Sequence, residues 1–273
     1  MFPFEYHRAA TLQDARQAHD GAEEPAYLAG GQTLIPTLKM RLAQHDRLID
    51  LRRIPGLSDI RRDGNALVIG AMATHQAIAD SAEVVAAIPA LAAMAASIGD
   101  QQVRAMGTIG GALANNDPAA DYPAAFLALG GTIVTDVRSH AAADFFGEFF
   151  DTTLEPGEII REVRLPMATD AHYAKIRNPA SRYAVVGVFV ARTIDGPRVA
   201  ITGAGGKVFR HDAMEQALAA DFSEAALDGV TTSADGLNDD QHASAAYRAH
   251  LCGVLARRAV AAILAAESSV ERP

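Results

Sequence analysis

The chain has 273 residues, 49% of them hydrophobic, which suits one large globular domain or two modest ones and not a disordered segment. Lys and Arg number 24 against 33 Asp and Glu, a net charge of −9 with no basic run, so nucleic acid and anionic membrane are poor partners. A single cysteine, Cys252, excludes an internal disulfide and any cysteine-ligated iron–sulfur cluster held by this chain alone.

The first residues, Met1-Phe2-Pro3-Phe4-Glu5-Tyr6, have neither a basic region nor an apolar run, so no secretion signal is read and a cytoplasmic, reducing setting is expected. Thr11, with Asp14 three residues on, caps a short helix reaching His19. Ala26-Tyr27-Leu28 reads as a strand, Ala29-Gly30-Gly31-Gln32-Thr33-Leu34-Ile35 as a glycine turn, and residues 33–42 as a helix with Leu34, Leu38 and Leu42 on one face. Residues 47–51 form the next strand, and a right-handed crossover makes the two strands parallel. Such a glycine turn at a helix N-terminus is a ready phosphate site, although a double glycine also makes a plain turn.

Residues 52–57 connect to a strand over 66–70; Thr74 then caps a short helix, and 81–97 is helical with a break at Pro89. The longest apolar stretch, 84–98, is too short to cross a bilayer, so no transmembrane segment is expected. Thr108-Ile109-Gly110-Gly111-Ala112 is a second glycine loop, with Asp117 and Asp121 behind it. No Lys or Arg lies between Arg104 and Arg138, so backbone N–H groups would have to hold an anion there, which glycine permits. A helix over 119–129 and strands over 132–134 and 158–165 follow, with a boundary near 167–171. Beyond it, 173–176, 183–192 and 198–202 read as antiparallel strands, the middle one apolar enough to be covered on both faces. Helices are expected over 212–220, 223–227 and 241–266.

Several motifs are absent. Thr202-Gly203-Ala204-Gly205-Gly206 lacks the third glycine of a dinucleotide fingerprint and reads as a turn. The nine histidines show no metal-ligand spacing, and no protein-bound metal is expected. There is no serine nucleophile elbow.

The two glycine loops, in this order and about 80 residues apart, resemble the paired signatures of FAD-binding medium subunits in the xanthine dehydrogenase and carbon monoxide dehydrogenase family of molybdenum hydroxylases. The likeness extends over nearly the whole chain. It includes Lys39, Arg41, the strand Leu48-Ile49-Asp50-Leu51, Gly99-Asp100-x-Gln102-Val103-Arg104, Asp117-Pro118-Ala119-Ala120-Asp121-Tyr122-Pro123, Tyr247-Arg248 and Arg257-Arg258. The resemblance implies an α+β fold. A vanillyl-alcohol-oxidase (PCMH)-type FAD-binding domain over 1–170, with subdomains of about 1–55 and 56–170, would precede a small domain over 171–273 with a three-stranded antiparallel sheet and helices.

It also implies a site. Leu28, Ala29, Gly30, Gly31, Gln32, Thr33, Leu34 and Ile35 would face Thr108, Ile109, Gly110, Gly111 and Ala112 across the FAD diphosphate, with Thr33 and Thr108 as hydroxyl donors. Neither loop contains a histidine, so the FAD would be non-covalent. Asp121 would accept from ribose hydroxyls while Asp117 caps the helix at Ala119. Lys175 would stand near the flavin N1–C2=O edge, unless it is simply solvated. Tyr183 would cover one ring face, unless it is a core aromatic, and Ile98 and Ile160 would make apolar contacts. Ala112 stands where the family commonly has a small polar residue, and Arg182 stands where acids are frequent.

The implied role is electron relay. A large molybdopterin subunit oxidises the substrate, a small subunit with [2Fe–2S] clusters passes electrons to this FAD, and NAD, a quinone or oxygen receives them, in a dimer of heterotrimers. The alternatives are a stand-alone FAD-dependent reductase or dehydrogenase, for which no substrate base is visible, and a non-enzymatic nucleotide-binding scaffold.

Overall fold

The computed structural model describes residues 1–270 and builds them around three sheets. The first comprises β1 (Glu5–Arg8), β2 (Pro25–Leu28) and β3 (Arg47–Asp50), in the order β1-β3-β2 and all parallel. Helix α1 (Leu12–Asp20) follows β1, and α2 (Leu34–Lys39) links β2 to β3. Thr11 accepts from the Asp14 N–H at 3.0 Å, and Asp14 accepts from Ala10 N–H at 2.8 Å, so this helix start is closed from both sides. The parallel β2–α2–β3 unit is as expected. However, α2 stops at Lys39, because Met40 caps it and Arg41 turns to φ +58°. Strand β1 carries mostly exposed side chains and leaves little apolar signal in the sequence.

The second sheet is antiparallel, in the order β4-β5-β8-β6-β7. Its strands are β4 (Ile60–Asp63), β5 (Ala66–Gly70), β6 (Thr132–Thr135), β7 (Ser139–Ala141) and β8 (Ile160–Pro166). Between β5 and β6 run α3 (His75–Asp80), α4 (Ala82–Ala87), α5 (Pro89–Ala96), α6 (Gln101–Met106), α7 (Ile109–Asn115) and α8 (Tyr122–Leu129). The short α9 (Ala142–Phe145) precedes β8. Pro89 opens α5, where its missing N–H costs nothing, which explains the break between α4 and α5. Leu67, Ile69, Leu91, Ile109, Tyr122, Phe126 and Val163 meet in the largest core.

Two readings of this region need correction. The second glycine stretch is not an open loop: Gly110 and Gly111 lie in the first turn of α7, whose start Thr108 caps by accepting from Gly111 N–H at 3.1 Å. Helix α8 begins at Tyr122, not at Ala119. Asp117 accepts from Ala119 N–H at 2.8 Å, closing a turn rather than capping a helix.

The third sheet has four antiparallel strands, not three: β9 (Ala171–Arg177), β10 (Ala184–Thr193), β11 (Gly196–Thr202) and β12 (Phe209–Arg210), in the order β12-β11-β10-β9. Two residues are too few for β12 to show an alternating pattern. Strand β10 is covered on both faces. Phe189 and Ala191 join the largest core, and Val186, Val188 and Val190 join a second cluster under α10 (Asp212–Ala220) and α11 (Ala245–Val270). The helix expected over 223–227 is a single 3₁₀ turn at Ala225–Leu227. Helix α11 is long and apolar on average, although Arg248, Arg257 and Arg258 interrupt it. By length and composition, Ala245–Ser268 could cross a membrane, but its Leu251, Cys252, Leu255, Ala259 and Ile263 are buried in this second cluster.

Arg248 on α11 is buried among apolar neighbours, and its charge is held by carbonyls. Its Nη1 donates to Val185 O and Gly203 O at 2.5 and 3.0 Å, and its Nη2 to Asp240 at 2.7 Å. Arg248→Met should lower the unfolding free energy by about 2–4 kcal/mol, since two buried carbonyls lose their donor. An unchanged urea midpoint would mean that α11 is held by its apolar face alone.

Candidate cofactor site

A cavity of about 450 Å³ opens where the first two sheets and the turn before β10 converge. Both glycine stretches line it, with Ile98, Asp121, Ile160 and Tyr183. The first stretch supplies donors. Gly31 takes φ +71°, and the backbone N–H groups of Gly30, Gly31, Gln32, Thr33 and Leu34 meet no acceptor among the described residues. Consecutive N–H groups at a helix start form a concave anion cradle. The Thr33 hydroxyl is exposed beside them and makes no capping bond.

The second stretch works differently. Ile109 N–H donates to Ala73 O at 3.1 Å, Gly110 N–H to Ala71 O at 2.8 Å, and Ala112 N–H to Thr108 O at 3.0 Å. With Gly111 N–H on Thr108, four of its five N–H groups are spent inside the protein, and only that of Thr108 meets no acceptor among the described residues. Of the two stretches expected to hold a diphosphate through backbone N–H groups, the first offers five such donors and the second one. The glycines here serve close approach. A Cβ on Gly110 would stand 2.6 Å from Ala71 Cβ, and one on Gly30 would stand 2.1 Å from Met106 O and 2.7 Å from Gly107 Cα. Gly111 faces Ala29, where a Cβ would reach 3.4 Å. The second stretch thus forms the floor against which the first is pressed.

Four expected residues are not in the cavity wall. Leu28 and Ile35 flank the missing side chain of Gly31 and support its turn. Ile109 is buried in the core behind α7. Lys175 stands behind Asp121, its Nζ 2.9 Å from both carboxylate oxygens. Tyr173 OH donates to the same carboxylate at 2.5 Å. An ammonium this deeply buried needs a counter-charge, so it pairs with Asp121 instead of standing free at a flavin edge. Asp121 reaches the cavity with Oδ1 taking Tyr173 and Lys175 and Oδ2 taking Lys175 alone, which leaves acceptor capacity on Oδ2. Burial raises its proton affinity, and Lys175 and Tyr173 oppose that. Tyr183 is 42% exposed at the cavity, just after Arg182 at φ +63°.

Among the lining residues that no sequence motif marks are His75 and Glu158. His75, at the start of α3, is 5% exposed. Glu158 receives Thr135 Oγ1 at 2.7 Å, His140 Nε2 at 2.8 Å, Glu155 N–H at 2.8 Å and Arg138 at 3.0 Å. These contacts span residues 135–158 and have no local motif. His75 follows a helix cap as a lone histidine and forms no motif with the residues beside it.

The family described as the FAD binding domain in molybdopterin dehydrogenase matches residues 2–168. The carbon monoxide dehydrogenase medium chain of Afipia carboxidovorans is 35% identical, covering 94% of this chain and 95% of the relative. This chain is a member of that family. The nicotine 6-hydroxylase medium subunit of Paenarthrobacter nicotinovorans is 33% identical over 93% of this chain and 95% of its own length. Among solved structures, carbon monoxide dehydrogenase from Hydrogenophaga pseudoflava superposes with a TM-score of 0.87 at 33% identity, covering 97% of this chain and 99% of that one. Quinoline 2-oxidoreductase from Pseudomonas putida gives 0.88 at 27% identity, covering 96% and 98%.

The chain is therefore an FAD-binding oxidoreductase subunit of the molybdenum hydroxylase type. Its cavity fits FAD: five free N–H groups suit a diphosphate, a partly exposed tyrosine suits a ring system, and Ile98 and Ile160 give apolar walls.

Glu158 generates a pH prediction. Burial alone would raise it, but its hydrogen bonds outweigh burial and hold it down at about 2, against an ordinary 4.5. A depressed carboxylate stabilises the fold above its ordinary value, and that contribution is lost as pH falls through the folded one. Glu158→Gln should cost roughly 3 kcal/mol at neutral pH. The wild-type advantage in chemical denaturation should shrink as pH falls from about 4.5 to about 2. A difference independent of pH would contradict this.

Proposed function

We propose that this chain holds FAD non-covalently with its diphosphate on the Gly30–Leu34 amides, and relays electrons within a molybdenum hydroxylase. The free donors of that one turn carry the reading. Thr33 and Thr108 would add hydroxyls, Ala29 and Gly111 would close the floor, and Tyr183 would lie against one face of the ring. The Lys175–Asp121 pair would present a nearly neutral, polar wall instead of a lone cation. We divide the chain into a cofactor-binding part, 1–170, and a C-terminal part, 171–273, that closes the site with Tyr183 and backs Asp121 with Lys175.

Bound FAD supplies a redox carrier between one-electron iron–sulfur clusters and an external acceptor. The protein's contribution is to bind, orient and shield it. A lone cysteine leaves the [2Fe–2S] clusters to a small partner subunit, and the organic or inorganic substrate to a large molybdopterin subunit. NAD, a quinone or oxygen would be the acceptor, in a cytoplasmic dimer of heterotrimers. That the relatives are medium chains or medium subunits supports such an assembly.

FAD titration of the purified chain, followed by absorbance and flavin fluorescence, tests this reading, first alone and then with the two partner subunits. Gly30→Ala should weaken FAD binding at least tenfold, because its methyl meets the Met106 carbonyl and forces the cradle open. Absence of FAD binding by the wild type in both settings would overturn the proposal. Tyr183→Ala should retain FAD while changing its absorption spectrum or reoxidation rate; with neither altered, the ring lies elsewhere.

A further inference from the structure

His75 lies outside both glycine stretches, yet its imidazole reaches the place where they meet. Thr74 caps α3 and also bridges to Thr108, and His75 N–H donates to Gly107 O at 2.9 Å. The ring sits so close to Gly107 that a Cβ there would be 2.7 Å from His75 Nε2. Gly107 Cα in turn lies where a Cβ on Gly30 would collide. The imidazole is therefore fixed beside the seam between cradle and floor.

Hydrogen-bond accounting sets its tautomer. Tyr122 is 1% exposed, and its hydroxyl lies 3.1 Å from His75 Nδ1. No other acceptor for that hydroxyl exists among the described residues, so it donates to Nδ1. Nδ1 is then an acceptor, and Nε2 carries the proton. Nε2 has no protein partner among the described residues and is not sealed from the cavity that His75 lines. The ring is also neutral: burial, with the nearby Arg104 charge, lowers it to about 4.

We propose that His75 is a cofactor-binding residue, donating from Nε2 to an FAD oxygen at the seam of the two glycine stretches, with Tyr122 as the residue that holds its tautomer. This rests on the FAD reading above. A neutral donor can stand in this buried place without a counter-ion, whereas the buried Lys175 needs Asp121.

The test uses the full chain, with FAD as the probe and two readouts. The first is FAD affinity by fluorescence titration, alongside the melting midpoint of the FAD-free protein. His75→Ala should weaken FAD binding about tenfold, whereas His75→Gln, which keeps an N–H donor, should stay within about threefold of the wild type. Tyr122→Phe should fall between them. Unchanged FAD affinity in His75→Ala, with only a lowered melting midpoint, would make His75 a packing residue and overturn the assignment alone. The second readout needs no variant: ¹⁵N correlation of the wild-type imidazole should show protonated Nε2, with a resonance that shifts on FAD addition. A protonated Nδ1, or an Nε2 resonance indifferent to bound FAD, would also overturn it. If the wild-type chain binds no FAD, the cofactor reading fails and this assignment fails with it.

Discussion

Two stretches of backbone touch where Gly30 crosses Met106 and Gly107, and no side chain fits between them. The rest of the site depends on this approach. It requires glycine at 30, and it requires the segment beneath to be rigid. Rigidity comes from the ladder that ties Ile109 and Gly110 to Ala73 and Ala71, just beyond the end of β5. The five-stranded sheet thereby fixes the floor, the floor fixes the turn after β2, and the turn presents its amides outward. The cradle itself is thus built from backbone dipoles, with no lysine or arginine in either glycine stretch.

Much of this was legible in the sequence because it rests on local chemistry. The double glycines, the caps at Thr11 and Thr74, the proline break before α5 and the apolar run of β10 each act over a few residues. The glycine at 31 declares its own turn. What one sequence does not declare is which atoms are already spoken for. Thr108-Ile109-Gly110-Gly111 looks like a second cradle, but Ala73 and Ala71, from a distant part of the chain, accept the N–H groups of Ile109 and Gly110.

The same limit governs the charged groups. Asp121 and Lys175 were each read against the cofactor, one as an acceptor and one as a cation. They are 54 residues apart, and no periodicity connects them. Desolvation makes each the other's partner, because a buried ion without one is far costlier than a buried pair. Two further groups escaped notice for related reasons. His75 is set by a tyrosine 47 residues away, and Glu158 by donors on either side of a long excursion. Short strands such as β1 and β12 were invisible for a simpler reason: they bury too few side chains to leave a pattern.

The link from Asp121 to Tyr173 and Lys175 bears on how the molecule can be divided. The family match ends at residue 168, a natural point at which to cut a gene. Yet the carboxylate belongs to one side of that cut and both of its donors to the other. Phe189 and Ala191, also beyond the cut, are part of the core beneath α8. A fragment ending at 168 would keep every glycine of the signature while exposing an apolar wall and stranding an acid inside it. The portable unit for grafting or minimisation therefore runs through α11, whose apolar face covers the other side of β10, and family-match boundaries make poor scissors here.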